Sequence, residues 1–430
     1  MINEDNIRNQ LINIRKFNDV YSIPWKIFEG KSLEGKCKNL NVIVACSVCQ
    51  GAGDAIFSMK FAKYLQQWYD CKVMIGTPKL EMFVKLGADP KSLISLIKYD
   101  GEPAGDCRRF KKLKMKSEYN IPQFDLVFIA PLQADFGIDR NDVKSLFPYS
   151  NRFNTFFMSE YNDNTKKGFD FDTGVGGDRF GMLITDSGKL KKLPTMTSKY
   201  VVVYIAEHIS NVMGCFFHFI EMIAKKYSKN NQFDVVAPPW ISKKLEKYET
   251  KLLDILFPYF SNIQIIFKDD IYTNTVTITD NTGSNNKFFR IRCDVLPVPN
   301  KDMLSLMKFS ESDILLSGDQ SVSDVLNFPN KNIFYQIVPW KENLARNLVK
   351  EIPQKYLKKR KTSCGTTSAI HMKSNLKKFI NRWDFRRLAR PKMDAIFLAA
   401  LHRSNNKILK KFEKTVLNTK SLSYLKELYV

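Results

Sequence analysis

Short apolar runs recur along the chain, separated by stretches of helical period. Residues 40–46, 72–76, 124–130, 154–159, 200–206, 233–237, 262–267, 313–317 and 332–337 are rich in β-branched and aromatic side chains and have the length of buried strands. Between them, residues 55–69, 81–86, 208–227, 243–257, 301–309 and 321–326 read as helices. In the first of these, Ile56, Met59, Phe61, Ala62 and Leu65 fall near helical spacing, and Ile7, Leu11 and Ile14 mark a shorter helix near the N-terminus. Strands that alternate with helices imply parallel sheets covered on both faces. The rhythm runs twice, on either side of a Lys-, Thr- and Ser-rich linker at residues 186–199.

The expected architecture is therefore α/β, with two doubly wound Rossmann-like domains facing a cleft. The expected limits are 1–190 for the first domain and 191–345 for the second, followed by a basic helical region at 346–430, with helices only from Lys341 onward. Residues 98–120 read as an exposed loop, and the alternation at 273–292 suggests an inserted hairpin. No run approaches the roughly 18 apolar residues of a membrane span. The polar first 17 residues carry no apolar signal core, so the expected location is cytoplasmic.

In doubly wound sheets ligands bind beyond the carboxyl ends of the strands, so the loops after strands are the places to seek chemistry. Gly51, Ala52, Gly53 and Asp54 follow the first strand and open a helix. The glycines allow close backbone approach, and a helix start favours negative charge. The spacing is not that of a full dinucleotide fingerprint, because Ile56 stands where a glycine would. Asp54 is either a helix N-cap or a general base facing the cleft. Residues 174–181 hold four glycines, Gly176 and Gly177 among them, and read either as a flexible ligand loop or as a surface turn. A third loop, Ser317, Gly318, Asp319, Gln320 and Ser321, joins a strand to a helix and offers hydroxyls and N–H groups suited to a diphosphate. Ser321 with Asp324 also fits a capping box. Arg290 and Arg292 are either phosphate ligands or charges on a hairpin.

The run from Ser317 to Leu326, a strand, and then Val338-Pro-Trp-Lys-Glu-Asn-Leu-Ala-Arg-Asn347 resemble the donor half of GT-B glycosyltransferases. With Gly53 and Asp54 added, the pattern is similar to the inverting protein-arginine rhamnosyltransferases. The resemblance covers about 70 residues of motif and the two-domain order. It implies a nucleotide-sugar donor, Asp54 as base, and Ser317–Ser321 with Glu342 on the donor side. It also implies Gly51, Gly53, Gly176 and Gly177 on the acceptor side, no required metal, and terminal helices that cross back to brace the first domain. The chain departs from the pattern at Lys341 and Glu342, where many members carry Asp-Gln.

Charge adds a second reading. The net charge is +23, and residues 341–430 hold 23 Lys and Arg against 6 Asp and Glu, so this fifth of the chain carries +17 of it. Such a region suits a solvated helical face, an anionic membrane surface or nucleic acid. For nucleic acid, residues 358–361 and Arg386–Arg387 would meet phosphates, with Trp383 and Phe385 as a stacking surface. The alternative function is then a non-catalytic nucleic-acid-binding protein. The eight cysteines are scattered and read as buried thiols. Cys46 and Cys49 form a lone C-x-x-C with no second pair to complete a zinc site.

Overall fold

A computed structural model of the chain describes residues 33, 35–46, 48, 52–98, 113–115, 123–132, 147, 154–163, 169–185, 189–207, 209, 211–269, 272–280, 286–358, 369–372 and 381–405. Two α/β units are present. In the first, β1 (Asn41–Ala45), β2 (Lys72–Thr77), β3 (Leu93–Lys98), β4 (Leu113–Met115), β5 (Leu126–Leu132) and β6 (Thr155–Ser159) form one sheet in the order β4-β3-β2-β1-β5-β6. All its pairings are parallel except β3 with β4. Helices α1 (Gly53–Tyr69) and α2 (Leu80–Lys85) connect its early strands. β3 and β4 are additions to the expected strands, and β4 lies inside the stretch read as a loop.

The second unit contains β7 (Lys199–Tyr204), α3 (Val212–Tyr227), β8 (Gln232–Val236), α4 (Trp240–Leu245), α5 (Glu249–Leu256), β9 (Asn262–Lys268), β10 (Thr273–Thr279) and β11 (Phe288–Arg292). It continues with α6 (Asn300–Phe309), β12 (Asp313–Ser317), α7 (Asp319–Leu326), β13 (Asn332–Gln336), α8 (Glu342–Glu351), β14 (Leu357–Lys358) and β15 (Ala369–Met372). The sheet order is β10-β9-β11-β8-β7-β12-β13-β15-β14. The expected hairpin at 273–292 is corrected here. β10 pairs antiparallel with β9, while β11 inserts in parallel between β9 and β8. The expectation of helices only beyond Lys341 is also corrected, because β15 pairs antiparallel with β13 and carries β14.

The central strands of both sheets are buried on two faces, as near-continuous apolar strands require. Val42 and Val44 join one apolar cluster while Ile43 and Ala45 join another, which is the period of two expected of a strand. The first of these clusters is continuous between the units. It includes Phe61 and Leu65 of α1, Val202 and Leu316 of the second sheet, and Phe385, Met393 and Phe397 near the C-terminal end.

Those last residues belong to α9 (Phe385–Leu388) and α10 (Arg390–Asn405), which cross back onto the first unit as the resemblance implies. Met182 N–H donates to the Trp383 carbonyl (2.6 Å) and Phe385 N–H to the Met182 carbonyl (3.0 Å). Gly181 makes this approach possible. Its φ is +83°, and a Cβ there would lie 2.3 Å from the Trp383 oxygen. Phe397 stacks on Tyr69 with ring centroids 3.7 Å apart, and the Tyr69 hydroxyl donates to Asp394 Oδ1 (2.7 Å). Arg390 also bonds Asp394 (2.8 Å) and lies over the Trp68 ring. Trp383 and Phe385 are buried in this docking, Phe385 parallel to Trp68. They form part of the core, which overturns their expected role as a stacking surface for nucleic acid.

Candidate active site

The topology of each sheet places one loop at a switch point. In the first sheet the chain winds outward from β1 through β2 and β3, then returns to β5 on the other side, so the switch lies between β1 and β5. The connection leaving β1 is the one that contains Gly53 and Asp54. In the second sheet the strands β8, β11 and β9 lie on one side of β7, and β12 and β13 on the other. The connection leaving β12 is Ser317–Ser321. Crevices for ligands open at such points.

The two switch points face one another. A Cβ built on Gly53, the first residue of α1, would lie 3.9 Å from Asp319 Oδ1, at the first residue of α7. Two helix N-termini and two carboxylate-bearing residues, Asp54 and Asp319, therefore share one seam. Asp54 is half-buried in the first turn of α1. The N-cap position belongs to Ala52, so Asp54 does not hold the capping position offered for it by the sequence. Its carbonyl accepts from Ser58 Oγ (2.9 Å) and Cys46 Sγ (3.6 Å). Gly51 and Cys49 lie outside the described residues. Burial, with Asp54 nearby, pushes the Cys46 thiol well up, so it behaves as a buried core thiol.

The second loop begins with Ser317, buried at the end of β12, and Gly318, whose φ of +81° with open space around its Cβ position suits the turn into α7. The helix starts at Asp319, two residues before the expected position, so Ser321 lies inside it and the Ser321–Asp324 capping box is absent. Asp319 Oδ1 accepts from the N–H of Gln320 (2.8 Å). Its Oδ2 accepts from Lys341 Nζ at 3.0 Å, and Lys341 also pairs with Glu160, just beyond β6 of the first unit. Burial works against the Lys341 charge, but the Asp319 and Glu160 carboxylates outweigh it, and the ammonium titrates well above the ordinary lysine range.

A second polar group bridges the seam beside the first. Lys60 of α1 pairs with Asp324 of α7, with side chains only 8% and 5% exposed. Lys60 Nζ also reaches Gln320 Oε1 (3.3 Å), and Thr185 Oγ1 donates to Asp324. Gln320 is thus tied to the first unit, and Tyr161 lies within reach of its side chain. Sequence reasoning missed Lys60, Glu160, Thr185 and Asp324 as members of this seam. The one available signal was Lys60 itself, a charge among the apolar positions of a helix, next to Phe61.

The remaining expected site residues lie at the margin. Glu342 is exposed at the start of α8, 3.9 Å from Arg346. Gly176 (φ +132°) stands beside Asn347 of α8, whose Oδ1 would lie 3.7 Å from its Cβ, and Gly177 is exposed. Their loop is held at its base by hydrogen bonds. Asn162 donates to the Val175 carbonyl and accepts from its N–H (both 2.8 Å), and Gly174 N–H donates to the Gly181 carbonyl (2.8 Å). Arg290 pairs with Asp234 (2.7 Å), and Arg292 with Asp294 (2.7 Å), so the phosphate role offered for these arginines is replaced by a structural one in the second sheet. Among the described residues, no group of three His, Cys, Asp or Glu could hold a metal ion, and no helix is long and apolar enough to cross a membrane.

No family model matches the sequence, and no curated protein matches it. Among solved structures the chain is similar to a UDP complex of MnaA from S. aureus, at 12% identity and a TM-score of 0.36, over 72% of this chain and 88% of that one. It is also similar to the glycotransferase of kitacinnamycin, at 11% identity and a TM-score of 0.35, over 84% of this chain and 94% of that one. At that level of likeness neither defines the function of this chain. The architecture rests on the chain's own two sheets, two doubly wound units with facing switch points.

Proposed function

We propose that the chain is a glycosyltransferase that moves a sugar from a nucleotide-sugar donor to an acceptor held by the first unit. The observation that carries this reading is that a Cβ on Gly53 would stand 3.9 Å from Asp319 Oδ1, so the switch-point loops of both sheets meet in one seam. In this reading residues 1–190 form the acceptor side and 191–345 the donor side. Ser317–Ser321 and the N-terminus of α7 hold the diphosphate, and Glu342 and the loop of Gly176 and Gly177 border the site.

The step is a direct displacement. The Asp54 carboxylate takes the proton from the acceptor O–H or N–H as that atom bonds to the anomeric carbon. The bond from that carbon to the diphosphate oxygen breaks, and its electron pair leaves with the diphosphate. A positioned base contributes roughly 100- to 10,000-fold. The N–H groups at the start of α7 stabilise the charge on the leaving group. In this reading no metal ion takes part, which the magnesium arm of the screen below tests.

The test is a thermal-shift and transfer screen with UDP-, GDP-, CMP- and dTDP-sugars, with and without magnesium. A donor at about 100 times its Kd adds about 2.7 kcal/mol of stability. The expected result is a shift with one nucleotide, weakened by Ser321→Ala. Asp54→Asn keeps that shift and loses transfer. No shift with any nucleotide sugar would sink the reading.

A further inference from the structure

The second sheet ends in an edge strand with unusual features. β10, Thr273–Thr279, runs Thr-Asn-Thr-Val-Thr-Ile-Thr and pairs with β9 over all seven residues without a register shift. Among the described residues it has no neighbour on its other side. Proteins guard such edges with charges, proline, bulges or very short strands. The described edges β4 and β14 follow that rule, with three and two residues and a lysine in each, and the edge β6 is buried, with Met158 bridging to Phe171 on its outer side. β10 has seven residues, no charge, no proline and no bulge.

The free hydrogen-bonding groups of β10 can be assigned. At its two ends, Asp269 N–H donates to the Tyr272 carbonyl and Asp280 N–H to the Ser261 carbonyl. Tyr272 and Asp280 therefore turn their backbone groups toward β9. In an antiparallel ladder alternate residues do so, and the unbroken register carries this parity along the strand. The N–H and C=O groups of Thr273, Thr275, Thr277 and Thr279 consequently face away from β9, toward the open edge.

The side chains are arranged symmetrically as well. Thr277 and Thr279 lie on one face, with hydrogen bonds to Gln264 and Asn262. Asn274, Val276 and Ile278 lie on the other, opposite Phe267, Ile265 and Ile263. Ile265 and Phe267 pack on the core, whereas Val276 is 47% exposed and Tyr272, beside the strand, 68%. Read in either direction the strand has threonine at every odd position and valine at its centre.

We propose that two copies of this chain associate edge to edge through β10, antiparallel, with the two-fold axis at Val276. That register overlaps all seven residues. It sets Thr273 opposite Thr279 and Thr275 opposite Thr277 as hydrogen-bonded pairs, and Val276 opposite its own copy on the apolar face. Cross-strand Thr pairs and β-branched pairs are favourable neighbours. A slip of one residue would carry the threonines to the apolar face and misalign every outward N–H group. A two-fold contact needs a self-complementary surface, and the pattern of β10 supplies one. The assembly would join two nine-stranded sheets into one.

Sedimentation velocity of the full chain, from about 1 to about 100 µM, is the first test, since an interface of one strand pair lies at the small, weak end of specific contacts. A concentration-dependent dimer is expected. Val276→Lys, which would set two ammoniums against each other at the axis, and Thr275→Pro, which would remove an N–H that the fold does not use, are both expected to be monomeric with unchanged circular dichroism. Val276→Cys tests the register. Non-hydrogen-bonded pairs have Cα atoms about 4.5 Å apart, within disulfide range, so mild oxidation should give a reducible dimer. Thr273→Cys should not, since its partner is Thr279 of the other copy. A monomer at every concentration, a dimer indifferent to Val276→Lys, or cross-linking by Thr273→Cys in place of Val276→Cys would overturn the proposal.

Discussion

The Lys341 ammonium lies 3.0 Å from Asp319 and has its other carboxylate partner, Glu160, in the opposite unit. One buried cation thus holds two carboxylates that belong to different sheets. Removing it should leave two like charges in a poorly solvated seam. Breaking a buried pair by deleting one partner typically costs about 3–5 kcal/mol. Lys341→Met is therefore expected to lose that much stability at neutral pH in urea denaturation. A loss well under about 1 kcal/mol would contradict this account of the cluster.

Lys60 and Asp324 form the neighbouring bridge, and their contribution is best measured as a cycle. Lys60→Met and Asp324→Leu alone should each cost about 3–5 kcal/mol, because each strands a buried charge. The double variant should cost much less than the two losses added together, since apolar pairs often replace buried ion pairs with little loss. Additive losses in chemical denaturation would mean that the two residues act independently.

Lys331 gives the fold a pH dependence. It is buried against Ser310 and Glu311, its Nζ donating to the Ser310 hydroxyl (3.0 Å) and the Glu311 carbonyl (3.1 Å), and burial pulls its pKa down to about 8. In the unfolded chain a lysine holds its proton to about pH 10.4. Between these values the unfolded state binds the extra proton, so stability rises with pH across that window. Relative to Lys331→Met, the wild-type chain should gain about 2 kcal/mol between pH 8 and pH 10, at about 1.4 kcal/mol per unit of full proton difference. Parallel stability curves for the two proteins would rule the effect out.

Much of the framework is legible along the chain because the signals are local. β12 is legible at its observed limits, 313–317, since an apolar run closed by Ser317 and Gly318 punctuates itself. The two strand-to-helix loops that meet in the seam are legible on the same grounds, each pairing glycine with a following helix. What sequence could not supply was the identity of the neighbour. Helix α1 reads as one apolar face against a sheet, yet Lys60 and Tyr64 are buried as well, because α7 and residues 183–185 cover its other side. Trp383 and Phe385 look exposed within a basic run, but their partners, Trp68 and Met182, lie about 200 to 300 positions earlier. β11 looks like the second arm of a hairpin, and only competition for the neighbours of β8 and β9 places it between them. Hydrophobic period and turn chemistry fix where elements begin and which side is apolar, since both act within a few residues. The pairing of Lys60 with Asp324, and of Lys341 with Glu160, depends on which surfaces pack together, and that choice was made by the burial of the whole chain.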